Sequence, residues 1–266
     1  MSTTIVVPAR YASTRFPAKP LALLRGATGI AKPLIQRSWE AACRAACGRR
    51  VVIATDDERI ALAAASFGAE VVMTPESCAN GTERCAAALP ALADETRIIV
   101  NFQGDAPLTP AAFVAALIDT IEHDSAVAVA TPALHAPPAL HRRLLDEQAR
   151  GQVGGTTVVR SDRGDALYFS KAVIPHTRSE QVGDPDLPIF FHVGVYAYRR
   201  DALLDYAGSP ASRLEELEGL EQLRFLARGV PVRLIEVNHG DEEIWELNNP
   251  GDVPLIEAEL ARRGIA

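Results

Sequence analysis

With 266 residues, 48% of them hydrophobic, the chain can bury one large core, or a core with a small appended unit. Its formal net charge of −7 and the lack of a basic stripe interleaved with aromatics exclude a nucleic-acid binder, and no apolar run reaches the ~18 residues of a membrane span. The opening Met1-Ser-Thr-Thr4 has neither the charged nor the apolar region of a secretory signal, so a soluble cytoplasmic protein with no membrane partner is expected.

The first strand is expected over residues 3–7, where Ile5, Val6 and Val7 form a short β-branched run that reads as buried. It empties into Pro8-Ala-Arg-Tyr-Ala-Ser-Thr-Arg-Phe-Pro-Ala-Lys-Pro20, a loop with three cations, Arg10, Arg15 and Lys19, and the hydroxyls of Ser13 and Thr14. The cations are spaced too irregularly for one face of a helix or strand, and Pro8, Pro17 and Pro20 stiffen the path. In an otherwise acidic chain, cations gathered at the carboxyl end of a first strand point to an anionic ligand, and a polyphosphate is expected. Further on, residues 26–33 superficially suggest a Gly-rich phosphate loop. They lack the GxxxxGK[ST] spacing, and no GxGxxG follows a strand, so neither a P-loop ATPase nor a dinucleotide-binding fingerprint is supported.

Helices over 33–46, 57–67, 83–92 and 110–123 alternate with strands over 50–54, 70–73, 97–102 and 126–131. Such alternation predicts an α/β fold with a doubly wound, mostly parallel sheet. Thr55-Asp-Asp-Glu58 fits a capping box with Thr55 as N-cap and Glu58 at N3, so its acids read as structural. Cys43, Cys47, Cys78 and Cys85 form no CxxC pair and read as reduced structural thiols.

From Pro132 the pattern changes to Pro137-Pro138, a charged stretch and short strand-like pieces at 156–160, 166–169 and 192–198, with a long loop over 176–188. This predicts an inserted β-rich unit over 132–200, of the kind that closes a site or builds a dimer contact. The remainder, 201–266, returns to α/β. It carries a helix over 214–228 with Leu217, Leu220, Leu223 and Leu226 facing the core, a strand over 231–237, and a closing helix from Pro250 at N1.

Three places carry further chemistry. Asp105 follows a buried strand in Gly104-Asp105, where a carboxylate can meet a hard cation or simply form a turn. His192 opens an apolar strand as a ligand or a core histidine. Glu221 and Gln222 lie on the last long helix, as ligands or as solvated surface.

These residues resemble those of the CMP-Kdo synthetases, the 3-deoxy-manno-octulosonate cytidylyltransferases. The opening loop matches the family almost residue for residue, and the likeness continues through Ala54-Thr-Asp56, Gly81-Thr-Glu-Arg84, Asn101-Phe-Gln-Gly-Asp105, Ala166-Leu-Tyr-Phe-Ser170, His192-Val-Gly-Val-Tyr196 and Leu220-Glu-Gln-Leu-Arg224. The resemblance implies a nucleotide-diphospho-sugar transferase fold and a homodimer. It also implies a reaction in which the anomeric hydroxyl of a sugar acid attacks the α-phosphorus of CTP and releases pyrophosphate, for lipopolysaccharide or capsule synthesis. By the family's pattern Ala9, Arg10, Ser13, Arg15 and Lys19 surround the triphosphate, and Asn80, Gly81, Thr82 and Arg84 the cytidine. Arg10, Lys19 and Asp105 would be catalytic, with Mg²⁺ on Asp105. Gln103, Lys171, His192, Tyr196, Glu221 and Gln222 would take the sugar acid.

Four positions depart from the family's pattern. Ala106 replaces a glutamate, and Thr157 stands in a segment that usually carries a lysine. Lys171 replaces an arginine, keeping charge without the planar fork that grips a carboxylate. Near the C-terminus Asn248 stands where an aspartate, the second ligand of magnesium, is usual. Glu246 lies two residues upstream, on the same face of an extended segment, and is the candidate to compensate. An asparagine serves at this place in some sugar-phosphate uridylyltransferases. Two alternatives therefore stand beside Kdo: another ulosonate, amino-substituted or sialate-like, and a catalytically silent nucleotide-binding homologue.

Overall fold

The computed structural model describes residues 2–12, 16–238 and 240–266. In chain order it runs β1 (Ser2–Ala9), the hairpin β2 (Leu23–Arg25) and β3 (Ala31–Pro33), α1 (Leu34–Ala46), β4 (Arg50–Thr55), α2 (Glu58–Ser66) and β5 (Glu70–Met73). Then follow α3 (Gly81–Ala88), β6 (Thr96–Phe102), α4 (Ala111–His123), β7 (Val129–His135), α5 (Pro138–Ala149), β8 (Thr157–Arg160) and β9 (Ala166–Ser170). The chain ends with β10 (Phe190–His192), β11 (Val195–Arg199), α6 (Arg200–Ala207), α7 (Arg213–Glu218), α8 (Leu223–Ala227), β12 (Val232–Glu236) and α9 (Val253–Arg262).

β5, β4, β1 and β6 lie side by side and parallel, as the alternation of strands and helices predicts. Ile5, Val6 and Val7 are fully buried because helices cover both faces of β1, and successive side chains enter opposite cores. Ile5 and Val7 pack with α1 and α4, while Val6 packs with residues of α3, α6 and α8. β11 then enters antiparallel between β6 and β7, and β12 joins β7 in parallel. Among the described residues no helix is long and apolar enough to cross a membrane.

The strands read as an inserted unit share this same sheet. β10 and β11 pair with successive stretches of β7; β11 continues to β6, and β10 turns to β8 and so to β9. The fork falls at Val193-Gly194.

Several boundaries are corrected. Thr55 stays in the ladder between β1 and β5, so the N-cap of α2 is Asp57, whose side chain accepts from the Arg59 N–H at 2.9 Å. α3 starts at Gly81, because Asn80 accepts from the Glu83 N–H at 2.8 Å and Glu83 in turn accepts from the Ala79 N–H at 2.8 Å. It gives way to a 3-10 turn, Leu89–Ala91, since Pro90 has no N–H to continue it.

The expected helix over 214–228 is two short ones. Gly219 takes a left-handed φ of 61° and ends α7, leaving Leu217 67% exposed while Leu223 is buried. α5, α6 and the β2–β3 hairpin have no counterpart in the sequence reading. Pro138, read only as marking a change of pattern, starts α5, where a missing N–H costs nothing.

Candidate active site

β1 and β6 are parallel neighbours, so their carboxyl ends open on one edge of the sheet. Gly104 lets the two exits touch: a Cβ there would stand 2.5 Å from the Pro8 carbonyl oxygen. Ser38 on α1 secures the contact by donating to the Gly104 carbonyl at 2.9 Å. Lys19 is delivered by a 3-10 turn entered through Ala18 at φ 56°. Its Nζ thereby meets Asp105 Oδ2 at 2.5 Å, with both side chains partly exposed at the floor of the site. Ala9 is buried at the strand's end, whereas Arg10 is exposed and donates to the Ala79 carbonyl at 3.5 Å. Ser13 and Arg15 lie outside the described residues.

Ala79 leads into the turn that opens α3. Asn80 caps the helix and also donates to the Tyr206 hydroxyl at 3.0 Å. Gly81 packs over β6, where an added Cβ would stand 3.3 Å from the amides of both Asn101 and Gln103. The Thr82 N–H donates to Glu221 Oε2 at 2.9 Å. Arg84 points the other way. It is 2% exposed and donates to Asp56 Oδ2 at 2.8 Å and to Thr74 Oγ1 at 2.7 Å, so it braces the turn from behind. Asp56 is thus structural, as the sequence suggested, though through an ion pair and not a helix cap.

On the same face of the sheet, Asn101 of β6 pairs with Tyr196 of β11, with Tyr198 two residues along β11 and Gln103 just past the end of β6. The Tyr196 hydroxyl donates to Gln222 Oε1 at 3.2 Å. Gln222 is 2% exposed and its Nε2 has no partner among the described residues, so neither it nor half-buried Glu221 is solvated helix surface. Burial raises the Glu221 carboxyl, and the hydrogen bonds from Thr82 oppose that shift.

His192 is buried among Phe169 and Tyr196, and its Nε2 lies 2.9 Å from Thr131 Oγ1. The single Thr131 proton is directed to backbone carbonyls, at 2.8 Å for Val195, so His192 is the donor and carries its proton on Nε2. Burial lowers its pKa to about 3, leaving a neutral imidazole. Exposed Lys171 stands at the rim, its backbone N–H donating to Glu218 at 3.0 Å and its Nζ lying over Gly219.

The last wall comes from the C-terminal segment. The Leu247 N–H donates to the Asp105 carbonyl at 2.9 Å, and its side chain is buried in a small core with Leu108 and Ile256. Asn248 and Glu246 flank it. Glu246 leans on Gly194, where an added Cβ would stand 3.1 Å from its Oε1 and 3.9 Å from Gln103 Cγ. Among the described residues no three His, Cys, Asp or Glu side chains gather as a ligand cage.

A basic loop, a carboxylate opposite it and a polar pocket alongside are what nucleotide transfer to a sugar requires, and residues 4–244 match the family model described as cytidylyltransferase. The chain belongs to the cytidylyltransferase family. This cytidylyltransferase is 40% identical over 264 residues to the 3-deoxy-manno-octulosonate cytidylyltransferase of Maricaulis maris, covering 99% of each. It is 42% identical to that of Syntrophotalea carbinolica, covering 98% of this chain and 99% of the other. It is also 38% identical to an 8-amino-3,8-dideoxy-manno-octulosonate cytidylyltransferase of Shewanella pealeana, covering 98% and 99%. A solved CMP:2-keto-3-deoxy-manno-octonic acid synthetase complexed with CTP superposes with a TM-score of 0.82 at 33% identity, over 99% of this chain and 100% of that one.

Residues given no role from the sequence include Thr131, Tyr198, Gly194 and Glu218. Only the start of α3 had a local signal, the Asn80-x-x-Glu83 spacing. The others meet partners distant in sequence, Thr131 at His192 and Glu218 at Ser170.

Proposed function

We propose that this enzyme transfers the cytidylyl group of CTP to the anomeric hydroxyl of an eight-carbon ulosonate, 3-deoxy-manno-octulosonate, releasing pyrophosphate. The observation that carries the reading is the convergence, on one sheet edge, of the Lys19–Asp105 pair with a buried polar wall whose Gln222 amide Nε2 has no partner among the described residues. Arg10, Ser13, Arg15 and Lys19 neutralise the triphosphate, and Asn80, Gly81 and Thr82 border the cytidine. Gln103, His192, Tyr196, Glu221 and Gln222 hold the sugar acid, with Lys171 at the rim for its carboxylate. Because the one proton of neutral His192 goes to Thr131, the ring meets a sugar hydroxyl through Nδ1 as an acceptor and carries no charge.

Asp105 and the carbonyl oxygen of Asn248 suit Mg²⁺ as hard oxygen donors, with Glu246 as a further carboxylate. When bound, the ion neutralises phosphate charge. The remaining work is positioning and electrostatic stabilisation, with the chain supplying no nucleophile. The resemblance to the family also supports a cytoplasmic homodimer serving lipopolysaccharide or capsule synthesis.

The test is pyrophosphate release from CTP and Mg²⁺ with Kdo, its 8-amino analogue and a sialate. Kdo is expected to have the highest kcat/KM. A preference for the amino sugar would favour the second reading, which the Shewanella pealeana relative and Lys171 support. Asp105→Ala should abolish turnover in a folded protein; substantial residual rate removes Asp105 from its role. No release with any acid, while CTP still binds, would instead indicate a silent homologue.

A further inference from the structure

Behind the pocket lies a buried polar chain, two members of which, Asn101 and Tyr198, have no part in the reaction as described. Asn101 and Tyr198 are fully buried and Thr82 is 1% exposed. Asn101 Nδ2 donates to the Tyr198 hydroxyl at 3.4 Å, and that hydroxyl lies 2.8 Å from Thr82 Oγ1. Thr82 holds Glu221 through its backbone N–H, which donates to Oε2 at 2.9 Å. The Tyr198 hydroxyl accepts from Asn101, and its bond with Thr82 Oγ1 pins the residue whose N–H grips the carboxylate. The chain thus runs unbroken from Asn101 to the turn that holds Glu221, an arrangement in which neighbouring bonds polarise one another. Asn101 Oδ1 meets no partner among the described residues, in keeping with an amide engaged here as a donor.

We propose that Tyr198 and Asn101 are positioning residues for the sugar acid, acting through Thr82 to fix the Glu221 carboxylate. The inference rests on the proposed function, since Glu221 is taken to bind the sugar. The geometry favours this role over simple packing because the Tyr198 ring already stacks on Tyr196 and on Phe225, at centroid distances of 5.8 Å and 5.7 Å. Packing needs the ring alone; the hydroxyl serves the chain.

Tyr198→Phe removes that oxygen and keeps the ring. The KM for the sugar acid should rise about tenfold, as for loss of one buried hydrogen bond, while the Kd for CTP measured by calorimetry without sugar stays within about twofold. Thr82→Val, which keeps the side-chain shape and removes the middle hydroxyl, should raise the sugar KM at least as much. In a Glu221→Gln background, Tyr198→Phe should add less than about twofold. An unchanged sugar KM, equal losses for CTP and sugar, or full additivity with Glu221→Gln would each overturn the inference. If the wild-type enzyme forms no CMP-sugar with any ulosonate, the proposed function falls and this inference with it. Wild-type turnover with an unaltered Tyr198→Phe removes this inference alone.

Discussion

At the scale of single residues, the site is governed by which polar groups are desolvated together. Arg84 and Asp56 are nearly buried at 3% and 10% side-chain exposure, so removing either partner leaves an uncompensated charge at a cost of about 3 to 5 kcal/mol. His192 shows the complementary case. Its pKa of about 3 against an ordinary 6.5 means that the native state stays neutral where the unfolded chain would already be protonated. The stability this contributes is full above pH 6.5 and declines as pH falls toward about 3. Accordingly, the His192 imidazole should show no protonation shift in an NMR titration from about pH 8 to about pH 5. A midpoint near the ordinary value would mean that the ring is solvated and that its hydrogen bond to Thr131 does not hold.

At the scale of elements, glycines decide how loops meet. The contact of Gly104 with Pro8 is backbone on backbone, with no flexible side chain to yield. Gly104→Ala should therefore lower stability by about 1 to 3 kcal/mol and, by shifting Asp105 away from Lys19, reduce kcat about 100-fold. Thermal melts and pyrophosphate release would check both; wild-type turnover would show that the spacing of the two exits is not critical. Gly219 acts differently, through its left-handed φ. By ending α7 it lets the following turn carry Glu221 and Gln222 inward, where an uninterrupted helix would continue its exposed face.

At the scale of the molecule, the C-terminal helix closes the site from outside. α9 carries Ile256 and Leu260 into the small core that also holds Leu247, so the wall bearing Glu246 and Asn248 depends on its docking. Glu259 ties this helix to the preceding segment, accepting from Arg262, Arg263 and the Glu243 N–H. Those bonds, Arg262 first, hold its carboxyl at a pKa of about 2 against an ordinary 4.5. Its stabilisation is full above pH 4.5 and is lost as pH falls toward about 2. Glu259→Gln should cost about 2 kcal/mol at neutral pH and flatten the stability slope across that window, as followed by urea unfolding. An unaltered slope would place the acid sensitivity elsewhere.

What could be read from the residues alone was whatever local chemistry encodes. The β-branched run of β1, the alternation that builds the parallel half of the sheet, and the cationic loop opposite Gly104-Asp105 are signals spanning a few residues. The order of the motif blocks carried the family resemblance. Tertiary structure alone settled which side of each element faces the site. Arg84 turns to Asp56, 28 residues upstream, and Gln222 is buried against Tyr196, 26 residues away. Strands β8 to β10 join the main sheet because β7 offers them an edge. Such outcomes depend on competition among partners distant in sequence for the same desolvated space, and no short window of sequence contains both competitors.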